Sequence, residues 1–159
     1  MSTREYQSQW AMATENRVPP ARVYAATVSR PLSRFTKILG GFYLTMAGIN
    51  IGLSIGDPQH YSGFAHAAHF DWVLQAWQSI FMSNPGMWAA LLGVGEILIG
   101  TALLAGGRWA LLGYAGVIAF HLALLLFGWG IWLWAVPVVA VVLPVSRAYM
   151  LALQRAETP

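Results

Sequence analysis

PGMWAALLGVGEILIGTALLAG, residues 85–106, is a run of twenty-two residues that carries a single charge, Glu96, near its middle. Such a run is long enough to cross a hydrocarbon core of about 30 Å as a helix. A carboxyl group at bilayer centre costs at least ~2.5 kcal/mol on insertion scales, so acids at this depth face protein or a wet cavity rather than lipid. Ala89, Gly93 and Gly100 share the face of Glu96 at helical spacing, and small residues of this kind let a second helix approach closely. Glu96 is therefore expected to point into a helix bundle, and the remaining chain is read for the helices that receive it.

The composition agrees. Of 159 residues, 57% are apolar and 9% charged, which describes one membrane domain rather than a soluble one. The formal charge of +3 is small and the basic residues cluster at span ends, so no nucleic-acid surface is expected. The absence of cysteine excludes disulfides, thiolate chemistry, iron–sulfur clusters and Cys-ligated zinc. The first 29 residues lack an apolar core, so an uncleaved first span is expected in place of a signal peptide.

Residues 1–37 read as a polar tail punctuated by Pro19, Pro20 and Pro31, with Tyr6, Trp10 and Tyr24 as candidate anchors on a partner. The first span is 38–56, ILGGFYLTMAGINIGLSIG. Gly48, Gly52 and Gly56 form a GxxxGxxxG stripe that Gly41 and Thr45 extend, and the stripe is expected to pack against a neighbouring helix. A second, mildly polar face carries Tyr43, Ala47, Asn50 and Ser54. The loop 57–84 opens with the turn signal DPQH and holds an amphipathic segment over about 64–82. Phe70, Leu74, Trp77 and Phe81 lie on one side of its helical wheel, and Asp71, Gln75, Gln78 and Ser79 on the other, so it is expected to lie in the membrane interface or to cap the bundle.

The third and fourth spans are 109–127, with His121 near its middle, and 131–151, which contains Pro137 and Pro144 on one face. Residues 152–159 form a short C-terminal tail. All 9 Lys and Arg residues precede span one, sit at Arg108 between spans two and three, or lie in the last turn of span four and beyond it as Arg147 and Arg155. That asymmetry predicts both termini in the cytoplasm and loop 57–84 outside. Trp72, Trp77, Trp88, Trp129, Trp132 and Trp134 gather as an outer aromatic belt, with Trp109 at the inner edge. The fold class expected is an all-α membrane protein, a four-transmembrane-helix bundle with an interfacial amphipathic helix in its first outer loop.

Three buried polar residues are expected at one depth. At 1.5 Å per residue Glu96 lies about 15 Å, and Asn50 and His121 each about 18 Å, from the cytoplasmic ends of their spans. Tyr114 adds a hydroxyl two turns from His121. A carboxyl and an imidazole in an apolar setting can exchange a proton or bind the polar head of a quinone, so Glu96 and His121 are the candidate catalytic pair, with Asn50 and Tyr114 as candidate cofactor-binding residues. The structural alternative is that Glu96 and His121 simply satisfy one another. A bis-histidine haem lacks its second axial ligand, because His121 is the only histidine in a span. In the loop, His60, His66, His69 and Asp71 have a spacing that could chelate a divalent metal, a weaker alternative because His66 falls on the apolar side of the wheel. Gly93 and Gly95 lie within a span and mark packing rather than a nucleotide fingerprint.

The stretch FDWVLQAW followed by NPGMWAALLGVGEILIGTALLAGGRWALLGYAG resembles the DoxX/DoxD family of four-span bacterial membrane proteins. The matching feature is Glu96 followed by Gly100, Leu103, Leu104, Gly106 and Arg108, and the resemblance extends over about residues 35–150. It implies a four-helix bundle in the bacterial inner membrane. It also implies a role as the membrane subunit of an oxidoreductase assembly, such as a thiosulfate:quinone oxidoreductase or one that deals with oxidative stress. The expectation is a small subunit of a quinone-linked redox complex that binds partners through its N-terminal tail and glycine faces. A purely structural subunit is the alternative.

Overall fold

The computed structural model describes residues 29–157, and the tail carrying Tyr6, Trp10 and Tyr24 lies outside them. Among the described residues all regular structure is helical, with no strand. Helix α1 (Arg30–Gly56) is followed by a 3-10 turn (Pro58–Gly63), and then by a short helix α2 (Asp71–Ala76) that continues as one π-turn (Trp77–Phe81). Next come α3 (Pro85–Ala105), α4 (Gly107–Leu124), a 3-10 turn (Leu125–Phe127) and α5 (Trp129–Glu157). Helices α1, α3, α4 with its 3-10 extension, and α5 are each long and apolar enough to cross a membrane, which marks the chain as a multi-pass membrane protein. Large apolar side chains such as Ile38, Ile55, Leu98, Leu112 and Leu133 point outward, as lipid contact requires.

Two boundaries differ from the sequence pattern. Helix α1 begins at Arg30, eight residues before the apolar run, because Pro31 sits in its first turn, where a missing N–H costs nothing. Helix α5 continues to Glu157 past the expected end at 151 and accommodates Pro137 and Pro144, both exposed, within it. The other ends follow local chemistry. Asn84 caps α3 by accepting from the Met87 N–H at 3.2 Å, with Pro85 next in line. Gly106 (φ 72°) and Gly107 (φ 55°) make the turn into α4. At the opposite end Gly128 (φ 91°) turns into α5 with the Ala67 carbonyl pressed against it, a position where a Cβ has neither a favourable dihedral nor room.

The order of packing is α1 on α3, α3 on α4 and α4 on α5. The α1/α3 seam is the closest, and it runs antiparallel: Gly40 faces Gly100, Ala47 and Ile51 face Gly93, and the Ser54 carbonyl faces Gly86. The buried stripe of α3 is Ala89, Gly93, Glu96, Gly100 and Leu103, the face expected from the sequence. Helix α1 meets it with Thr36, Gly40, Tyr43, Ala47 and Asn50. The GxxxGxxxG stripe does not serve the fold in the way expected: Gly41, Gly48, Gly52 and Gly56 have no atom within contact distance of an added Cβ. The two faces of α1 compete for α3, and the one that brings Asn50 to Glu96 is the one buried. On the other side of α3, Gly113 seats against Leu103, and Gly116 against Ile99. Tyr43, Leu103, Ala110, Tyr114, Val117, Val142 and Tyr149 form the continuous core.

This seam predicts a sharp contrast between glycines. A Cβ on Gly100 would sit 2.9 Å from the Gly40 carbonyl oxygen, and one on Gly93 would sit 2.6 Å from Ile51 Cγ1. Gly100→Val is expected to destabilise the protein by about 1–3 kcal/mol through overpacking. Gly48→Ala, with nothing near it, is expected to be neutral or slightly stabilising. Denaturant-induced unfolding in mixed micelles, followed by circular dichroism, measures both.

Candidate functional site

The polar residues of the middle of the chain fall into two sets, and both line one cavity. In the first, Asn50 on α1 donates through Nδ2 to Glu96 Oε2 on α3 at 2.7 Å. The Tyr61 hydroxyl, from the 3-10 turn after α1, donates to Asn50 Oδ1. The donors therefore run in one direction, from phenol to amide to carboxyl, and Asn50 is held by both of its polar atoms. Burial, and after it the nearby Glu96 charge, push the Tyr61 phenol above its ordinary range, so it keeps the proton that it donates.

In the second set, His121 on α4 places Nδ1 2.9 Å from the Val117 carbonyl, one turn back, and 3.3 Å from the Tyr43 hydroxyl of α1. His121 is only 2% exposed, and its Nε2 has no hydrogen-bond partner in the protein. The expected meeting of Glu96 and Asn50 is therefore present as a direct bond. Glu96 and His121 face the same space without a hydrogen bond between them among the described residues. Tyr114 lies apart from both: its hydroxyl pairs with Thr36 Oγ1 at 2.8 Å, nearer the α1 N-terminus, and its ring packs on Tyr149. It belongs to the core and does not line the cavity.

The cavity has a volume of about 580 Å³. Asn50, Glu96, His121, Tyr43 and Tyr61 are its polar lining, and Phe42, Met46, Leu92, Phe120, Phe127 and Trp134 supply much of the apolar wall. One end is closed by the loop, through residues that the depth of the spans alone does not bring in. The π-turn, in which Met82 N–H reaches the Trp77 carbonyl, stacks Trp77 on Phe81 with ring centroids 3.9 Å apart. Trp77 also stacks on Phe64 and donates Nε1–H to the Tyr61 carbonyl at 2.9 Å, so it pins the turn that carries Tyr61. Within the expected amphipathic segment only residues 71–81 are helical, whereas residues 64–67 form a turn that brings Phe64 back over the cavity. Asp71, Gln75, Gln78 and Ser79 are exposed, as the wheel requires. A few signals for the missed members were present: Tyr43 shares the Asn50 face of α1, and Trp77 and Phe81 share one wheel face.

The loop histidines do not assemble a metal site. His60 lies 4.0 Å from Asp57 at the surface, and His69 packs on Phe70 and Trp132. Among the described residues no three His, Asp or Glu side chains gather around a point where an ion could sit, so the His60, His66, His69 and Asp71 alternative has no geometry behind it. An apolar chamber with a few convergent polar groups is the usual form of a small-molecule site. Comparison with protein-family models, with curated proteins and with solved structures finds no match.

Asn50 is the residue on which the first set depends. Asn50→Ala removes the partner of both Tyr61 and Glu96 and is expected to cost about 1–3 kcal/mol, measured by unfolding in mixed micelles. Glu96→Gln keeps an oxygen for Asn50 and is expected to cost less than 1 kcal/mol on the same scale.

Proposed function

We propose that this chain is a small integral membrane subunit of a quinone-linked redox complex, and that the cavity between Glu96 and His121 holds the quinone head. The observation that carries this reading is a largely apolar chamber of about 580 Å³ lined by a carboxyl and by a histidine whose buried Nε2 has no partner. The Glu96, Gly100, Leu103, Leu104, Gly106 and Arg108 pattern, with its resemblance to the DoxX/DoxD family, supports the same assignment. In this reading the four long helices form a bundle in the bacterial inner membrane, with both termini cytoplasmic and α2 lying in the outer interface. The contacts that make α1 and α4 parallel to each other and antiparallel to α3 and α5 put Arg34, Lys37, Arg108 and Arg155 at one end, in keeping with that orientation. The chain has no cysteine and no second span histidine, so electrons reach the quinone from another subunit.

Glu96 and His121 are the residues that would contact the quinone head or move its protons. Asn50 positions Glu96, and Tyr43 flanks the His121 ring. A second reading, a structural subunit without a ligand, draws on a different observation: the exposed glycine stripe of α1 is a flat face on which another membrane helix could pack.

Gentle detergent extraction, native-gel separation and mass spectrometry of the band, with organic extraction of its quinones, test both readings. The expected result is co-migration with flavin-, haem- or metal-carrying subunits, with about one quinone per chain. Turnover of the assembled complex should fall about tenfold or more in Glu96→Gln. A complex that assembles and turns over normally with Glu96→Gln, but falls apart with Gly52→Leu, would leave the structural role. Migration of the chain alone as a small oligomer overturns the subunit assignment.

A further inference from the structure

The hydrogen bonds of His121 fix what kind of head group the cavity can take, an inference that rests on the cavity being a ligand site as proposed above. A backbone carbonyl can only accept, so the 2.9 Å contact between His121 Nδ1 and the Val117 carbonyl requires the ring proton to sit on Nδ1. In the neutral ring Nε2 is then a bare acceptor. It is fully buried, it has no partner in the protein, and its residue lines the cavity. The protein groups about it do not supply a donor: Tyr43 lies at Nδ1, the Tyr61 hydroxyl is engaged by Asn50, and the Asn50 Nδ2 bond goes to Glu96.

We propose that the cavity selects a lipophile whose head presents a hydroxyl donor to His121 Nε2, the reduced, phenolic form of a quinone, over the carbonyl-only oxidised form. A carbonyl oxygen opposite Nε2 would set two acceptors against each other in an apolar chamber, whereas a phenolic O–H completes the hydrogen bonding of the imidazole. The same geometry gives the ligand a way in from the bilayer. Helix packing runs from α1 through α3 and α4 to α5, and α5 is not packed along α1. At that seam Phe42 and Trp134, 38% and 49% exposed, are cavity-lining residues with ring centroids 5.9 Å apart. These two rings touch across the seam, so parting them would let a hydrocarbon tail reach lipid, and the inferred ligand is an amphipath with one flat hydroxylated head and a tail.

The test is equilibrium binding to the full chain in phosphatidylcholine nanodiscs under anaerobic conditions, corrected for partitioning into empty discs. The probes are decylubiquinol, decylubiquinone and the bis-methyl ether of the quinol. The quinol is expected to bind about tenfold or more tightly than the quinone, with the ether, which has lost its donors, no better than the quinone. His121→Phe is expected to level the quinol and the quinone. Equal or tighter binding of the quinone or the ether overturns the donor assignment while leaving the cavity a quinone site. An unchanged preference in His121→Phe also overturns it, and failure of all three probes to bind overturns this inference and the quinone site together. Should His121→Phe fail to fold, the three ligands on the wild-type chain decide the matter alone.

Discussion

A carboxyl group carried on a membrane helix has few places to go, and the hydrogen bond between Asn50 and Glu96 is where this chain puts it. The bond spans α1 and α3, so those helices must approach closely enough for a short amide to reach a glutamate. The glycines at 40, 93 and 100 permit that approach: each stands where a larger residue would meet backbone or a branched side chain. Close packing and polar pairing therefore support each other at one seam. The same requirement decides which face of α1 is buried, since only the face with Tyr43, Ala47 and Asn50 offers Glu96 a partner.

From that seam the rest of the site follows in layers. Asn50 has a second polar atom to satisfy, and the Tyr61 hydroxyl satisfies it, which ties the start of the long loop to the membrane core. Trp77 then holds the Tyr61 backbone from above, and its stack with Phe81 and Phe64 closes one end of the cavity with aromatic surface. On the far wall α4 contributes His121, fixed through Val117 and Tyr43. The outcome is a chamber with largely apolar walls, in which Asn50, Glu96 and Tyr61 are joined in one chain of hydrogen bonds and His121 is held through Nδ1. Among the described residues Nε2 of His121 is the buried side-chain atom left without a partner, and in a low-dielectric setting that is costly.

Lipid-facing and protein-facing surfaces also divide along this logic. The long helices expose leucine, isoleucine and valine around their outer surface, and the Asn50–Glu96 pair is confined to the interior. The glycine stripe of α1 is the departure: it is small and flat where a lipid-facing helix would ordinarily carry bulk, and no part of the described chain covers it.

The sequence by itself determined the helices. Apolar runs of about twenty residues, broken by Gly106, Gly107 and Gly128, leave little choice of secondary structure in a membrane, where each backbone group must be satisfied within its own segment. A rise of 1.5 Å per residue then brought Asn50, Glu96 and His121 within reach of one another, and all three line one cavity, although His121 meets Tyr43 two turns from Asn50. Helical spacing identified the buried stripe of α3 and the exposed side of α2 for the same reason. Which faces meet was a different matter. Gly48, Gly52 and Gly56 look as well suited to packing as the face that is buried, and a wheel cannot choose between them, because the choice depends on what the facing helix offers. Tyr114 shared the right helix with His121 yet paired with Thr36, since two turns of helix carry it about 10 Å away from the cavity. Tyr61, Trp77 and Phe64 entered the site through turns of the loop, where no periodicity carries the information. Only the tertiary structure decided that Glu96 pairs with Asn50 rather than His121, and that one nitrogen of a cavity-lining imidazole is left buried without a partner.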